Sequence, residues 1–160
     1  MRHPSFLLTA AALWLLPACL LAGPPAYPDA TMLVKTDKGE FTINIYYQRD
    51  ELGCGRAIYL AVEKTYAGGT VQRKQEHVWI TGRPPKGVRA APPRSGDLAL
   101  KARDVLLVGD QLVVCLKAGS PLGKDPRARP IGTLDPSCKV TWLKDGPALP
   151  VKKFNLAQLM

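Results

Sequence analysis

The chain has 160 residues, 46% hydrophobic and 22% charged, and its 22 Lys and Arg against 13 Asp and Glu give a net charge of +9. That length suits one ordinary domain able to bury a core without depending on disulfides. With only His3 and His77, and no Asp-x-Asp or Glu-x-x-Glu spacing, the sequence excludes a multi-histidine metal site and a calcium loop, so neither metal nor cofactor is expected.

Met1-Arg2-His3 is a short basic start, and Phe6 to Leu16 is an apolar run too short to span a bilayer. Pro17 breaks it and small residues follow, the pattern of an export leader over residues 1–22, cleaved after Ala22. A second reading takes Leu16-Pro17-Ala18-Cys19 as a lipobox with Cys19 as the lipidated first residue. Both place the mature protein outside the cytoplasm, in the periplasm or anchored at the outer membrane of a Gram-negative cell. Gly23 to Ala30 is a proline-rich spacer, and residues 31–160 form a single β domain.

Thr31 to Tyr47 predicts a hairpin around Asp37-Lys38-Gly39-Glu40, with glycine available for a left-handed position. Phe41, Ile43, Ile45 and Tyr47 fall on one face of its second strand and Thr42, Asn44 and Tyr46 on the other. After a polar loop, Ala57 to Lys64 favours a strand by its β-branched and aromatic content, with a short helix as the competing reading. Thr70 to Thr81 reads as a strand that directs Val78 and Ile80 one way and His77 and Trp79 the other. Gly82 to Gly96, with two Pro-Pro pairs, predicts an exposed loop of polyproline character.

The stretch from Asp97 to Lys117 organises the rest. Val105 to Val108 and Leu112 to Leu116 are apolar runs joined by Gly109-Asp110, and glycine first in a two-residue loop suits a type II′ turn. That closure sets Leu107 opposite Leu112, Leu106 opposite Val113 and Val105 opposite Val114. Both strands are apolar on both faces, so the hairpin needs cover on two sides and belongs mid-sheet. Ala118 to Ser137 is too rich in Pro and Gly for a regular element, Cys138 to Trp142 alternates as a strand, and Val151 to Leu156 reads as an edge strand blunted by Lys152 and Lys153. The fold class expected is all-β: a small antiparallel β-sandwich or partly open barrel of seven or eight strands.

Cys54, Cys115 and Cys138 lie beyond the leader. An oxidising compartment favours one bridge, and Cys115–Cys138 is the expected pair if their strands are antiparallel neighbours. Cys54 and His77 are the sharpest catalytic candidates, as a thiol flanked by glycines and the one imidazole beyond the leader. Gly53-Cys54-Gly55-Arg56 resembles the Gly-Cys-x-Arg core of the L,D-transpeptidases, which would imply a Cys54 nucleophile. The chain departs from that pattern at Leu52, where the family has histidine, and in placing His77 downstream. Gly119 to Asp125 has three residues between its glycines and ends Lys-Asp, so it does not make a phosphate loop.

Eight of the basic residues fall between Arg73 and Arg103 against Glu76 and Asp97. Arg83, Lys86, Arg89 and Arg94, with Trp79 and with Lys124, Arg127 and Arg129 from the second long loop, are the candidate binding residues, since Arg and Trp dominate interfaces. The partner expected is another protein or an anionic envelope component, not nucleic acid. The function expected is therefore non-enzymatic: an exported cell-envelope binding protein, of inhibitor or immunity type. Two alternatives stay open, a lipid-anchored assembly or structural factor held by Cys19, and a thiol enzyme using Cys54 and His77.

Overall fold

A computed structural model describes residues 27–158. The expected export leader and the lipidation candidate Cys19 lie outside them. The elements are β1 (Ala30–Lys35), β2 (Glu40–Ile45), α1 (Glu51–Val62), β3 (Thr70–Lys74), β4 (His77–Thr81), β5 (Asp104–Val108), β6 (Gln111–Cys115), β7 (Ala128–Leu134), β8 (Leu149–Pro150) and β9 (Lys153–Gln158). The strands form one antiparallel sheet in the order β8-β3-β4-β6-β5-β7-β2-β1-β9.

The chain itself forces this sheet to curl. Its two edges, β8 and β9, are separated only by Val151 and Lys152, and three Cα steps reach about 11 Å at most. Val151 N–H donates to the Gly69 carbonyl (2.9 Å) and Lys152 N–H to the Lys35 carbonyl (2.8 Å), pinning the two edges near each other. The all-β expectation thus resolves to its partly open barrel form, a single curled sheet. Inside it Met32, Val34, Phe41, Ile43, Ile45, Val71, Val78, Ile80, Val105, Leu107, Leu112, Val114 and Ile131 pack as one core. The side chains that alternate with them face outward.

The hairpin of β5 and β6 forms in the register expected, Leu107 with Leu112, Leu106 with Val113 and Val105 with Val114, and occupies the middle of the sheet. Gly109 supplies the positive φ (+62°) that a side chain would resist. Every residue of β5 is buried, and so is every residue of β6 after Gln111. Full burial of each Leu or Val contributes about 1.5–3 kcal/mol.

Other expectations need correction. Ala57 to Lys64 is not a strand: α1 begins six residues before it, at Glu51, because Asp50 caps the helix, its carboxylate accepting the Gly53 N–H (2.9 Å). Cys54, Ala57, Ile58 and Ala61 then share the buried face at helical spacing. Gly53 lets the helix press against β7, since a Cβ there would lie 2.8 Å from the Arg129 Cβ. Thr70 to Thr81 is two strands with a turn at Gln75-Glu76, where Gln75 takes a φ of +56°. The stretch from Ala118 to Ser137 contains a one-turn 3₁₀ helix (Pro121–Lys124) and the long β7; its Pro130 is accommodated where the register with β5 shifts. Cys138 to Trp142 is irregular instead of a strand. Gly39 does not take a left-handed conformation; it makes room for the Trp142 ring, 2.6 Å from where its Cβ would stand. The edge strand near the C-terminus is β9, paired to β1.

Candidate functional site

Outward-facing positions on β3, β4 and β6 line up through their register. Gln72 stands opposite Trp79 and Trp79 opposite Val113; Lys74 stands opposite His77 and His77 opposite Cys115. An apolar outer face cannot stay bare, and here it carries a second cluster of Leu100, Leu106, Val108, Val113, Cys115 and Ala128, against which Trp79, Leu98 and Leu122 pack half-buried. The loop from 82 to 103 and the 3₁₀ turn provide its cover. They are tied by Leu98 N–H donating to the Gly123 carbonyl (2.9 Å) and Gly119 N–H to the Leu100 carbonyl (2.9 Å).

The cover is incomplete. Between the β5–β6 turn and the 3₁₀ turn lies an open cleft of about 490 Å³, lined by Trp79, Pro84, Val108, Gln111, Leu122 and Arg127 among others. One wall is aromatic and aliphatic, and the rim carries amide and guanidinium donors. Asp125 holds Arg127 at two points (Nε 3.3 Å, Nη2 3.0 Å), which fixes the guanidinium yet leaves its remaining N–H groups available. That same bonding holds the Asp125 carboxyl below its usual range.

Beside the cleft, His77 Nε2 lies 2.6 Å from Ser120 Oγ, and Ser120 Oγ also accepts the Leu122 N–H (3.2 Å). His77 therefore anchors the turn that presents Leu122. Burial lowers the imidazole pKa from its ordinary 6.5 against the opposing pull of Glu76, so the ring is neutral at pH 7. Burial also pushes the Cys115 thiol up to about 11.

The sequence candidates fare unequally. Cys54 does not meet His77. It sits in the interior core, its thiol placed to donate to the Tyr46 (3.2 Å) and Ile131 (3.4 Å) carbonyls, while His77 is on the outer face of β4. Burial raises the Cys54 thiol to about 11, which keeps it protonated and inert near neutrality. The Cys115–Cys138 bridge is absent, and all three cysteines are free. Cys115 belongs to the outer cluster, whereas Cys138 packs on the interior one and accepts the Thr42 N–H (3.2 Å). The reason is topological: β6 pairs with β4 and β5, so the chain near Cys138 is not its neighbour.

Of the basic candidates, Arg94 and Arg129 are absorbed by the fold. Arg94 donates to the carbonyls of Ala128 (2.5 Å), Gly123 (2.6 Å), Asp125 (3.1 Å) and Gly96, strapping the loop down. Arg129 is buried, ion-paired to Asp50 (2.9 Å) and bonded to the Pro92 carbonyl. Arg127 and Trp79 line the cleft, Arg83 begins the loop beside it, and Lys86, Arg89 and Lys124 are exposed. The contact of His77 with Ser120 and the place of Gln111 beside Trp79 are not legible in the sequence, because the pairing of β4 with β6 joins residues far apart in the chain.

No family model matches the sequence, and no curated protein matches it. Solved structures do match in fold. A cyclophilin-type peptidyl-prolyl cis-trans isomerase of Cryptosporidium parvum, in the presence of the dipeptide Ala-Pro, is similar with a TM-score of 0.55 at 12% identity, over 81% of this chain and 99% of its own. The same isomerase without that dipeptide in its description gives 0.54 at 12% identity, over 81% and 98%. The expectation of a non-enzymatic envelope-binding protein, of inhibitor or immunity type, is overturned by this likeness to enzymes, as is the role of a structural factor, while the thiol enzyme fails because Cys54 and His77 do not meet. The chain has the cyclophilin-like β-barrel fold.

Proposed function

We propose that this protein is a peptidyl-prolyl cis-trans isomerase that takes a proline-containing peptide in the cleft between Trp79 and Leu122. The observation that carries the reading is the place of Trp79: half-buried on the outer face of a cyclophilin-like barrel, at an open cleft with hydrogen-bond donors on its rim. The proline ring packs on Trp79, Val108 and Leu122, and Arg127 or Gln111 donates to the peptide beside it.

The chemistry asks for no nucleophile. Rotation about an X–Pro bond breaks no covalent bond; it must overcome the partial double-bond character of the amide, a barrier of about 18–20 kcal/mol. The aromatic and aliphatic wall of Trp79, Val108 and Leu122 displaces water from the amide carbonyl packed on it, and water hydrogen-bonded there favours the planar, charge-separated form. A donor aimed at the prolyl nitrogen favours the twisted form, in which that nitrogen regains its lone pair. One donor that acts mainly in the transition state contributes on the order of 10²–10³ in rate. Protonated cysteines and a neutral His77 are compatible with this, since none has to ionise.

The test is where an Ala-Pro peptide binds. Titration should shift the indole N–H signal of Trp79, assigned by comparison with Trp79→Phe, and the backbone amides of Gln111 and Leu122. Trp79→Ala should remove binding while the protein stays folded. A folded protein in which none of these signals moves at millimolar peptide refutes the assignment.

Export over residues 1–22 is proposed from the sequence pattern alone. Intact mass of the protein recovered from cell fractions distinguishes a chain starting at Gly23, or a diacylglycerol on Cys19, from one retaining Met1, which would refute export.

A further inference from the structure

The outer face continues past Trp79. Thr81 and Gly82 lead from β4 into a second groove of about 440 Å³, lined by Lys64, Thr65, Gly68, Thr70, Thr81 and Arg83 among others. Gly82 lines both hollows, so the two adjoin at the end of β4.

The second groove differs in chemistry from the first. It has no aromatic wall. Two cations flank it, Lys64 and Arg83, both exposed, and neither takes part in an ion pair among the described residues. The hydroxyls of Thr70 and Thr81 bond each other at 2.6 Å on the outer face. Thr65 is 2% exposed, and its hydroxyl has no hydrogen-bond partner, which is costly unless something supplies one. Gly68, at φ +74°, brings bare backbone to the groove with nothing within 4 Å of where a side chain would start.

No carboxylate lines the groove, although Glu63, next to Lys64 in the chain, is exposed and takes no ion pair among the described residues. Asp110 pairs with Arg56, Asp125 with Arg127, and Glu76 with Lys117. The charge on the groove's own lining is therefore positive.

We infer that the groove of Lys64, Arg83 and the three threonines is a second subsite, which binds an Asp or Glu side chain flanking the proline and so makes acidic proline-containing peptides the substrate class. The inference rests on the isomerase reading of the Trp79 cleft. Arg83 offers a planar fork to the carboxylate and Lys64 a point charge. Both pairs are solvent-exposed, so their effect is modest and screened by salt.

The experiment uses three peptides with a central Ala-Pro, flanked on both sides by three Glu, three Ala or three Lys, against the wild type and Lys64→Ala/Arg83→Ala. Neither substituted residue lines the Trp79 cleft. The wild type should bind the Glu peptide about fivefold more tightly than the Ala peptide at 50 mM salt, and the Lys peptide more weakly than either. At 300 mM salt the preference should shrink. The double variant should lose the preference and keep its affinity for the Ala peptide. Equal affinities for Glu and Ala peptides in the wild type, or an undiminished preference in the variant, overturn the subsite and leave the isomerase reading standing. Failure of all three peptides to bind removes both.

Discussion

Replacing Asp50 by alanine removes two supports at once, and the structure says how much each contributes. Its carboxylate caps α1 at the Gly53 N–H, and loss of such a cap costs about 1 kcal/mol. The same carboxylate takes Arg129 Nη1 at 2.9 and 3.0 Å, between side chains only 13% and 8% exposed. Deleting one partner of a buried pair strands the other charge and costs about 3–5 kcal/mol. Because Arg129 also holds the Pro92 carbonyl and packs where Gly53 admits it, no alternative partner is at hand. Asp50→Ala should therefore lose about 4–6 kcal/mol in urea denaturation, with Tm lower by about 15 °C. Asp50→Asn keeps a capping side chain and should lose less. Asp50→Ala with Arg129→Met removes the stranded charge and should recover most of the difference. A loss below about 1 kcal/mol for Asp50→Ala refutes the reasoning.

Burial raises the Cys54 and Cys115 thiols from 9.0 to about 11, so the folded state holds their protons longer than the unfolded chain does. Their contribution is complete below pH 9 and is lost as pH climbs toward 11; Cys115→Ala should flatten that decline, measured by Tm against pH. The lowered His77 has the opposite sign: its contribution is present above pH 6.5 and lost as pH falls, so His77→Gln should flatten the acid side of the same curve. Gly39→Ala should cost about 1–3 kcal/mol by pushing the Trp142 ring from its place, read in the same denaturation assay. Arg94→Lys cannot span the four carbonyls that the guanidinium reaches, so limited proteolysis between residues 83 and 97 should accelerate without global unfolding.

What was legible in the sequence was local. The Gly109-Asp110 turn and the two apolar runs beside it were enough to give register and central position, because turn geometry and two-sided burial act within a dozen residues. Helix α1 was misread because two glycines and a β-branched, aromatic segment hid an Asp50 cap that outweighs them. Strand β7 was lost among prolines that a register shift tolerates. The site was harder still. Nothing in the chain announces that β4 lies beside β6, yet that pairing sets His77 opposite Cys115 and brings it to Ser120. Nor could basic composition tell Arg83, which stays exposed, from Arg94 and Arg129, which the fold uses as internal ties. A Cys115–Cys138 bridge requires the two segments to be neighbours, and the pairing of β6 with β4 and β5 keeps them apart.

The most direct measurement is the rate at which an Ala-Pro peptide exchanges between cis and trans, followed by NMR exchange spectroscopy with the protein at substoichiometric concentration. Without catalyst that exchange takes tens to hundreds of seconds at 25 °C. The wild-type protein should accelerate it by at least tenfold, and Trp79→Ala should abolish the acceleration while the protein stays folded at 25 °C, its melting temperature lowered because the indole packs on the outer cluster. An unchanged exchange rate in the presence of folded wild-type protein would contradict the assignment of this face as an isomerase site.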